Sequence, residues 1–209
     1  MQSMKKIIEP SFSNTLVEMQ LCDVVENRTE NALFQSNIVE KSFAQVEFYE
    51  CEFKHVTMHG KMQGCLFVDV IFEHCDLSNT SFEESVFRRC VFRNCRMTGI
   101  DMSLCTFTDV QFLNVQCAYV NFNGTKWKRV RCKKTIFDEG SLYKCKLDSV
   151  EINECSLQSC EIAETPLFNI NLSTSNIQGI AVMPENLKGV IVNQEQAIAL
   201  ASLLGIVIC

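Results

Sequence analysis

The chain has 209 residues, 47% hydrophobic and 21% charged, with a formal net charge of −6. That balance excludes an intrinsically disordered chain, and no apolar run approaches the roughly 18 residues of a membrane-spanning helix; the length suits one domain with its own core. The anomaly is 13 Cys and 15 Phe beside only 8 Gly, 3 Pro and 1 Trp, which invites a disulfide scaffold or a metal framework.

The first ten residues, MQSMKKIIEP, offer two lysines but neither the apolar stretch nor the small-residue cleavage site of a secretory signal. A cytoplasmic, reducing location is therefore expected, where disulfides do not persist. The cysteine count is odd, no pair is spaced C-x-x-C, and Cys90/Cys95 and Cys155/Cys160, each five apart, fit no common metal signature.

Spacing by five is the organising feature. From Met62 through Phe67, Phe72, Leu77, Phe82 and onward to Leu187 and Val192, all 27 positions taken in steps of five are apolar or Cys. At this composition chance would give such a run with odds of roughly 10⁻⁹, so the chain is an internal repeat. Upstream the frame is expected to continue through Met58, Phe53, Phe48, Phe43, Ile38 and Leu33, with one four-residue step between Met58 and Met62. Two places earlier in each unit runs a second column of small or β-branched residues, among them Cys51, Gly60, Cys65, Cys75, Thr80, Ser85, Cys90, Cys95 and Cys105. Nine cysteines fall there, as small core hydrophobes. Residues two apart share one side of a strand, whereas a five-residue repeat would point the next unit outward unless the chain bends in every unit. The predicted geometry is a coil cornered once per five residues, its turns stacked as parallel strands about 4.8 Å apart.

The units CDLSN (75–79), TSFEE (80–84), CVFRN (90–94) and VNFNG (120–124) resemble the pentapeptide-repeat family. The resemblance implies an all-β solenoid, a right-handed quadrilateral parallel β-helix with four pentapeptides per 20-residue coil. It sets residues 1–32 as an N-terminal capping segment, 33–192 as the β-helix and 193–209 as a C-terminal helix and strand serving dimerisation. On this register Leu66, Ile71, Val86 and Val91 are outward apolar residues, and Ile7, Phe12 and Leu16 are expected to fold over them.

After Val192 the pattern changes. Asn193 with Gln196 forms a capping-box start, Ala197, Leu200, Ala201 and Leu204 follow helical spacing, Gly205 follows the helix, and Ile206, Val207, Ile208 and Cys209 read as a short strand. A terminal helix is needed because a bare last coil would expose core side chains and unpaired backbone. The ending NQEQAIALASLLGIVIC resembles that of Qnr-type topoisomerase-binding pentapeptide-repeat proteins, closest to the uninterrupted members from Gram-positive bacteria. In those the helix and final strand build a tail-to-tail homodimer, which implies an interface of Leu200, Leu204, Ile206, Val207 and Ile208. The repeat register independently places Pro166, Phe168, Ala181, Met183 and Ile191 outward in the same region, an apolar concentration that a monomer would leave wet. Many Gram-negative Qnr proteins carry two projecting loops; the register from Met62 to Val192 has none.

Projected onto four faces, the two centred on the Leu77 and Phe82 columns gather Asp76, Glu83, Glu84, Asp101, Asp138, Glu139, Glu161 and Glu164 against Arg96 and Lys144. The other two hold Arg88, Arg89, Arg93 and the run KWKRVRCKK (126–134). Trp127 points inward, so no exposed stacking ring accompanies that basic run, and direct nucleic-acid binding is not expected.

No catalytic constellation is recognisable. Cys51, His55 and His59 are spaced C-x3-H-x3-H, but Cys51 lies on the inward column and both histidines outward, so one metal would not reach all three. No phosphate-binding glycine motif occurs. No enzyme activity, metal or cofactor is expected. The resemblance implies a cytoplasmic, homodimeric, DNA-mimicking binder of gyrase and topoisomerase IV that protects them from quinolones, the acidic faces being the contact. The alternatives are a gyrase inhibitor or a repeat scaffold for an unrelated protein partner.

Overall fold

The five-residue period becomes a corner at every fifth residue. The computed structural model describes residues 6–24, 27–36 and 38–207. Two places after each large inward side chain the backbone turns left-handed, with φ of 55° at Asp69, 54° at His74, 57° at Asn79 and 61° at Glu84. Between corners the chain is extended. Leu66–Glu73, Val86–Arg93, Thr106–Leu113, Lys126–Lys133 and Lys146–Asn153 pair in parallel in that order, Phe67 beside Phe87 beside Phe107, then Trp127 beside Leu147. Single bridges continue the stacking on another face, Asp76 to Arg96 to Gln116 to Ile136 to Ser156. The result is a parallel β-solenoid of about eight turns with one short C-terminal helix. Among the described residues no helix is long and apolar enough to cross a membrane.

The core has two aromatic columns at strand spacing. Phe67 stacks on Phe87 at 4.8 Å and 5°, and Phe72 on Phe92 at 4.7 Å and 2°. Adjacent columns meet edge to face, as Phe87 meets Phe92 at 5.6 Å and 61°, which suits the ring quadrupoles. The small column has a second role that hydropathy does not show. The thiols of Cys75, Cys95 and Cys105 donate to the carbonyls of Phe53 (3.2 Å), Phe72 (3.4 Å) and Phe82 (3.0 Å) in the preceding coil. The hydroxyls of Thr80 and Ser85 do likewise, to Met58 (2.9 Å) and Met62 (2.8 Å). Cys, Ser and Thr alternate there because each is small and carries one donor.

Upstream the expected frame needs correction. Ile38 is 76% exposed and Leu33 lies only partly inside, whereas Phe34 and Val39 are buried. A second four-residue step, from Val39 to Phe43, moves the frame by one. It lies directly above the step from Met58 to Met62, because Val39 pairs with Met58 and Phe43 with Met62. Two successive coils are thus shortened together to 19 residues, which keeps their inward faces in register. Gly60 makes the tight corner possible: a Cβ there would sit 2.2 Å from the carbonyl oxygen of Lys41.

Both ends are sealed. Val17–Glu18, within the expected cap, already pairs with Ala32–Leu33 as an outermost rung. Before it, residues 6–16 run across the strands as a strap. The amides of Ile8, Ser11 and Ser13 donate to carboxylates of Asp109 (3.2 Å), Asp69 (3.2 Å) and Glu50 (2.5 Å), and Gln111 donates to Glu9 at 2.6 Å. The expected cover over the outward apolar patch is present. Ile7 is 4% exposed and Val91 buried, Leu16, Leu66, Ile71 and Val86 are half-buried, and Phe12 remains at the surface.

At the other end Gln194–Ala201 is helical with the capping box of Asn193 and Gln196 formed, and Gly205 closes the following turn at φ 72°. Gln196 is buried, and its amide donates to the carbonyls of Leu172 (2.9 Å) and Ser175 (2.7 Å), closing the last coil. Ile206 and Val207 form no strand within this chain; Ile208 and Cys209 lie outside the described residues. A strand there has no parallel neighbour in the single chain to receive its hydrogen bonds.

Candidate functional site

Two adjacent faces carry an excess of acid, while the other two mix both signs. Asp76, Glu83, Glu84, Asp101, Asp138, Glu139, Glu161 and Glu164 all stand at the surface or half-buried on two adjacent faces and the corners that bound them. Stacking turns many of them into local acceptors. Asp101 accepts the Asn121 amide at 3.0 Å, Asp138 the Gln158 backbone at 2.9 Å, Glu139 the Tyr119 hydroxyl at 2.8 Å and Glu164 the Tyr143 hydroxyl at 2.9 Å. The bond to Glu139 raises the Tyr119 hydroxyl above its usual pKa. Asp76 faces Arg96 at 3.8 Å, and Lys144 faces Glu164 at 3.6 Å. Among the described residues the Glu84 and Glu161 carboxylates have no hydrogen-bond or ion-pair partner, so the stripe is acidic but partly self-satisfied.

On the opposite faces five cations meet an acid one coil away. Arg89 meets Asp69, Arg93 meets Glu73, Arg129 meets Asp109, Arg131 meets Glu151 and Lys134 meets Glu154. Such pairs are invisible as neighbours in sequence, although a 20-residue offset in the register would have found them. Cys51 is buried while His55 and His59 are exposed, and His55 instead stacks on His74 at 5.2 Å.

The C-terminal end carries the other candidate surface. Phe168 is 62% exposed and Val207 84%, with Pro166, Met183, Ile191 and Ile206 also at the surface. Leu200, expected at a subunit interface, is 9% exposed and packs into the core of its own chain, because the helix lies down on the last coil. The side chain of Leu204, and Ile208 as a whole, lie outside the described residues.

Burial raises the pKa of several core thiols. Removal from water pushes Cys51 up to about 11 and Cys90 and Cys160 up to about 12.

A repeat rod of stacked parallel coils is the class that this geometry defines. The family model for a pentapeptide repeat region matches residues 65–142. Over those residues the chain is similar to that family, and the same corner geometry extends beyond that region in both directions. Among solved structures, full-length QnrB1, described as a plasmid-mediated fluoroquinolone resistance protein, is similar at 12% identity and a TM-score of 0.43, covering 86% of this chain and 100% of that one. HetL from the cyanobacterium Nostoc sp. strain PCC 7120, described as involved in heterocyst differentiation regulation, is 10% identical with a TM-score of 0.31, covering 80% and 90%. Rfr23 from the cyanobacterium Cyanothece 51142 is 13% identical with a TM-score of 0.24, covering 59% and 64%. No curated protein matches the sequence.

Proposed function

We propose that this protein is a non-enzymatic binder of type II DNA topoisomerases, gyrase and topoisomerase IV, that lessens quinolone action on them. The observation that carries the reading is the confinement of Asp76, Glu83, Glu84, Asp101, Asp138, Glu139, Glu161 and Glu164 to two adjacent faces of a stiff rod. These faces act as a partial phosphate surrogate where the enzyme receives DNA. The surrogate is local. Duplex DNA carries about 23 charges over 40 Å, whereas this chain has a net charge of −6, so it does not reproduce the total charge density. Among the described residues no projecting loop interrupts the coils, so contact uses the rod faces.

The acting species is a homodimer joined at the C-terminal end, supported by the exposed Phe168, Met183, Ile191, Ile206 and Val207. Pro166 lies at its edge, with Leu204 and Ile208 included from the terminal pattern; Leu200 seals each subunit from within.

The test is titration of purified protein into gyrase supercoiling with ciprofloxacin. Supercoiling should return over a range of protein concentration, and a variant with Glu83, Glu84, Glu139 and Glu164 changed to Gln should restore it poorly. No restoration by the unmodified protein overturns the reading. Loss of supercoiling without drug would assign inhibition instead, and a pull-down without gyrase or topoisomerase IV subunits would assign a scaffold for another partner.

A further inference from the structure

Seven charged pairs on this rod join opposite signs one coil apart, whereas Lys126 and Lys146 bring like charges together with no counter-ion among the described residues. Lys126 pairs in register with Lys146, so the two side chains leave neighbouring strands at the strand spacing of about 4.8 Å. Lys128 stands two residues along the same strand and therefore on the same side. All three are exposed, and their ammonium groups make no hydrogen bond or ion pair among the described residues. Like charges directly opposite in a sheet are destabilising. Arg129 and Arg131, on the same strand, are both neutralised by Asp109 and Glu151, so the strand does not lack access to acids.

The coil before supplies the hydroxyls of Thr106 and Thr108, paired in register with Lys126 and Lys128 and likewise without hydrogen-bond partners among the described residues. Together these groups rim an open depression of about 340 Å³ floored by Phe107, Trp127 and Leu147. Its one acid is Asp148, which accepts the Ser149 hydroxyl at 2.8 Å and is not ion-paired with Lys128, its ladder neighbour. Three compact cations and two free hydroxyl donors on a stiff floor are complementary to closely linked anionic oxygens.

We infer that Lys126, Lys128 and Lys146, with Thr106 and Thr108, form an anion site for linked phosphates. The ammonium groups face two or more phosphates and the threonines donate to the oxygens between them. Lysine suits this role as a point-charge phosphate binder. Linked phosphates are favoured over an acidic peptide because Lys126 and Lys146 leave neighbouring strands about 4.8 Å apart, closer than carboxylates on successive same-facing residues of an extended chain, about 6.6 Å apart. The source is either the polyphosphate of a nucleotide or the backbone of a single-stranded nucleic acid. The site lies away from the acidic faces and does not depend on topoisomerase binding.

The experiment is calorimetric titration of the full chain at low and physiological salt with inorganic tripolyphosphate, a short oligothymidylate and polyglutamate. Tripolyphosphate, the oligonucleotide or both should bind at least tenfold more tightly than polyglutamate, the pattern assigning the source. K126Q/K146Q should weaken binding tenfold or more without lowering Tm, since it relieves a like-charge contact. D148N should strengthen binding several-fold, and K133Q, on the neighbouring face, should change it less than twofold. Absence of phosphate binding, equal binding of polyglutamate, or equal loss in K133Q and K126Q/K146Q would overturn the inference.

Discussion

The guanidinium of Arg129 lies across the carboxylate of Asp109 one coil above it, Nε to Oδ1 at 2.6 Å and Nη2 to Oδ2 at 2.5 Å. The same Oδ1 accepts the backbone amide of Ile8, so one buried carboxylate joins the rod to its N-terminal strap. Asp69 repeats the arrangement with Arg89 and Ser11. Each acid is oriented by an arginine and also accepts a strap amide.

Asp109 therefore makes the strap acid-sensitive. Burial alone would raise its pKa, but the hydrogen bonds from Arg129 and then Ile8 outweigh burial, and the net shift is downward from 3.8. A depressed carboxyl contributes stability that is present above its unfolded value and lost as pH falls through the lower folded value. The strap should stay docked at neutral pH and release below about pH 3.8, before the core melts. Amide exchange of residues 6–13 followed with pH measures this, and D109N should speed exchange there at pH 7. Deleting residues 1–20 should increase dye binding to the uncovered patch around Val91; unchanged exchange and dye binding would remove the latch.

Gly60 is predicted to be intolerant of a single methyl. Its added Cβ would meet the Lys41 carbonyl oxygen at 2.2 Å and carbon at 2.7 Å, and these are backbone atoms that cannot rotate away. Overpacking of this kind costs at least about 2 kcal/mol. G60A should lower the urea midpoint without changing the slope. At Gly64 the nearest atom is the flexible Gln45 side chain at 3.6 Å, but φ is +62°, so G64A should lose only about 1 kcal/mol, from the backbone.

Gln196 is the lock of the last coil. Replacing it with Leu leaves the Leu172 and Ser175 carbonyls and the Asn193 amide without their partner. Each buried unsatisfied group costs about 1–3 kcal/mol, so Q196L should lose several kcal/mol. The loss should show first as faster amide exchange in residues 172–200, while coils around Phe87 stay protected.

Thiol labelling separates the surface from the core. Among the described cysteines Cys22 is exposed and the other eleven are buried. In native protein at pH 8 iodoacetamide should modify Cys22 within minutes and leave Cys90, Cys105 and Cys160 untouched; denaturant should expose them all. C105S should lose little, because a hydroxyl can also reach the Phe82 carbonyl that the thiol reaches at 3.0 Å. Rapid native labelling of Cys90 would contradict the stacked core.

Much of this protein is determined locally. A large residue every fifth position and a small one two places earlier decide which side chains face inward, because a strand alternates sides and a corner resets the alternation. Hence Phe67 to Ile177, the capping box at Asn193 and the two acidic faces were all legible in the sequence. What only the tertiary structure decided involves choices between locally equivalent options. Ile38 and Val39 are adjacent and both apolar, and Val39 is chosen because its four-residue step to Phe43 stacks on the step from Met58 to Met62. The path of the strap depends on partners 101 residues away at Asp109 and 102 at Gln111. Whether a lysine meets a glutamate or another lysine depends on the coil length, 19 residues near the start and 20 thereafter. Periodicity specifies the inside of the rod, since burial repeats with the coil. The surface is settled by which residues the stacking brings side by side.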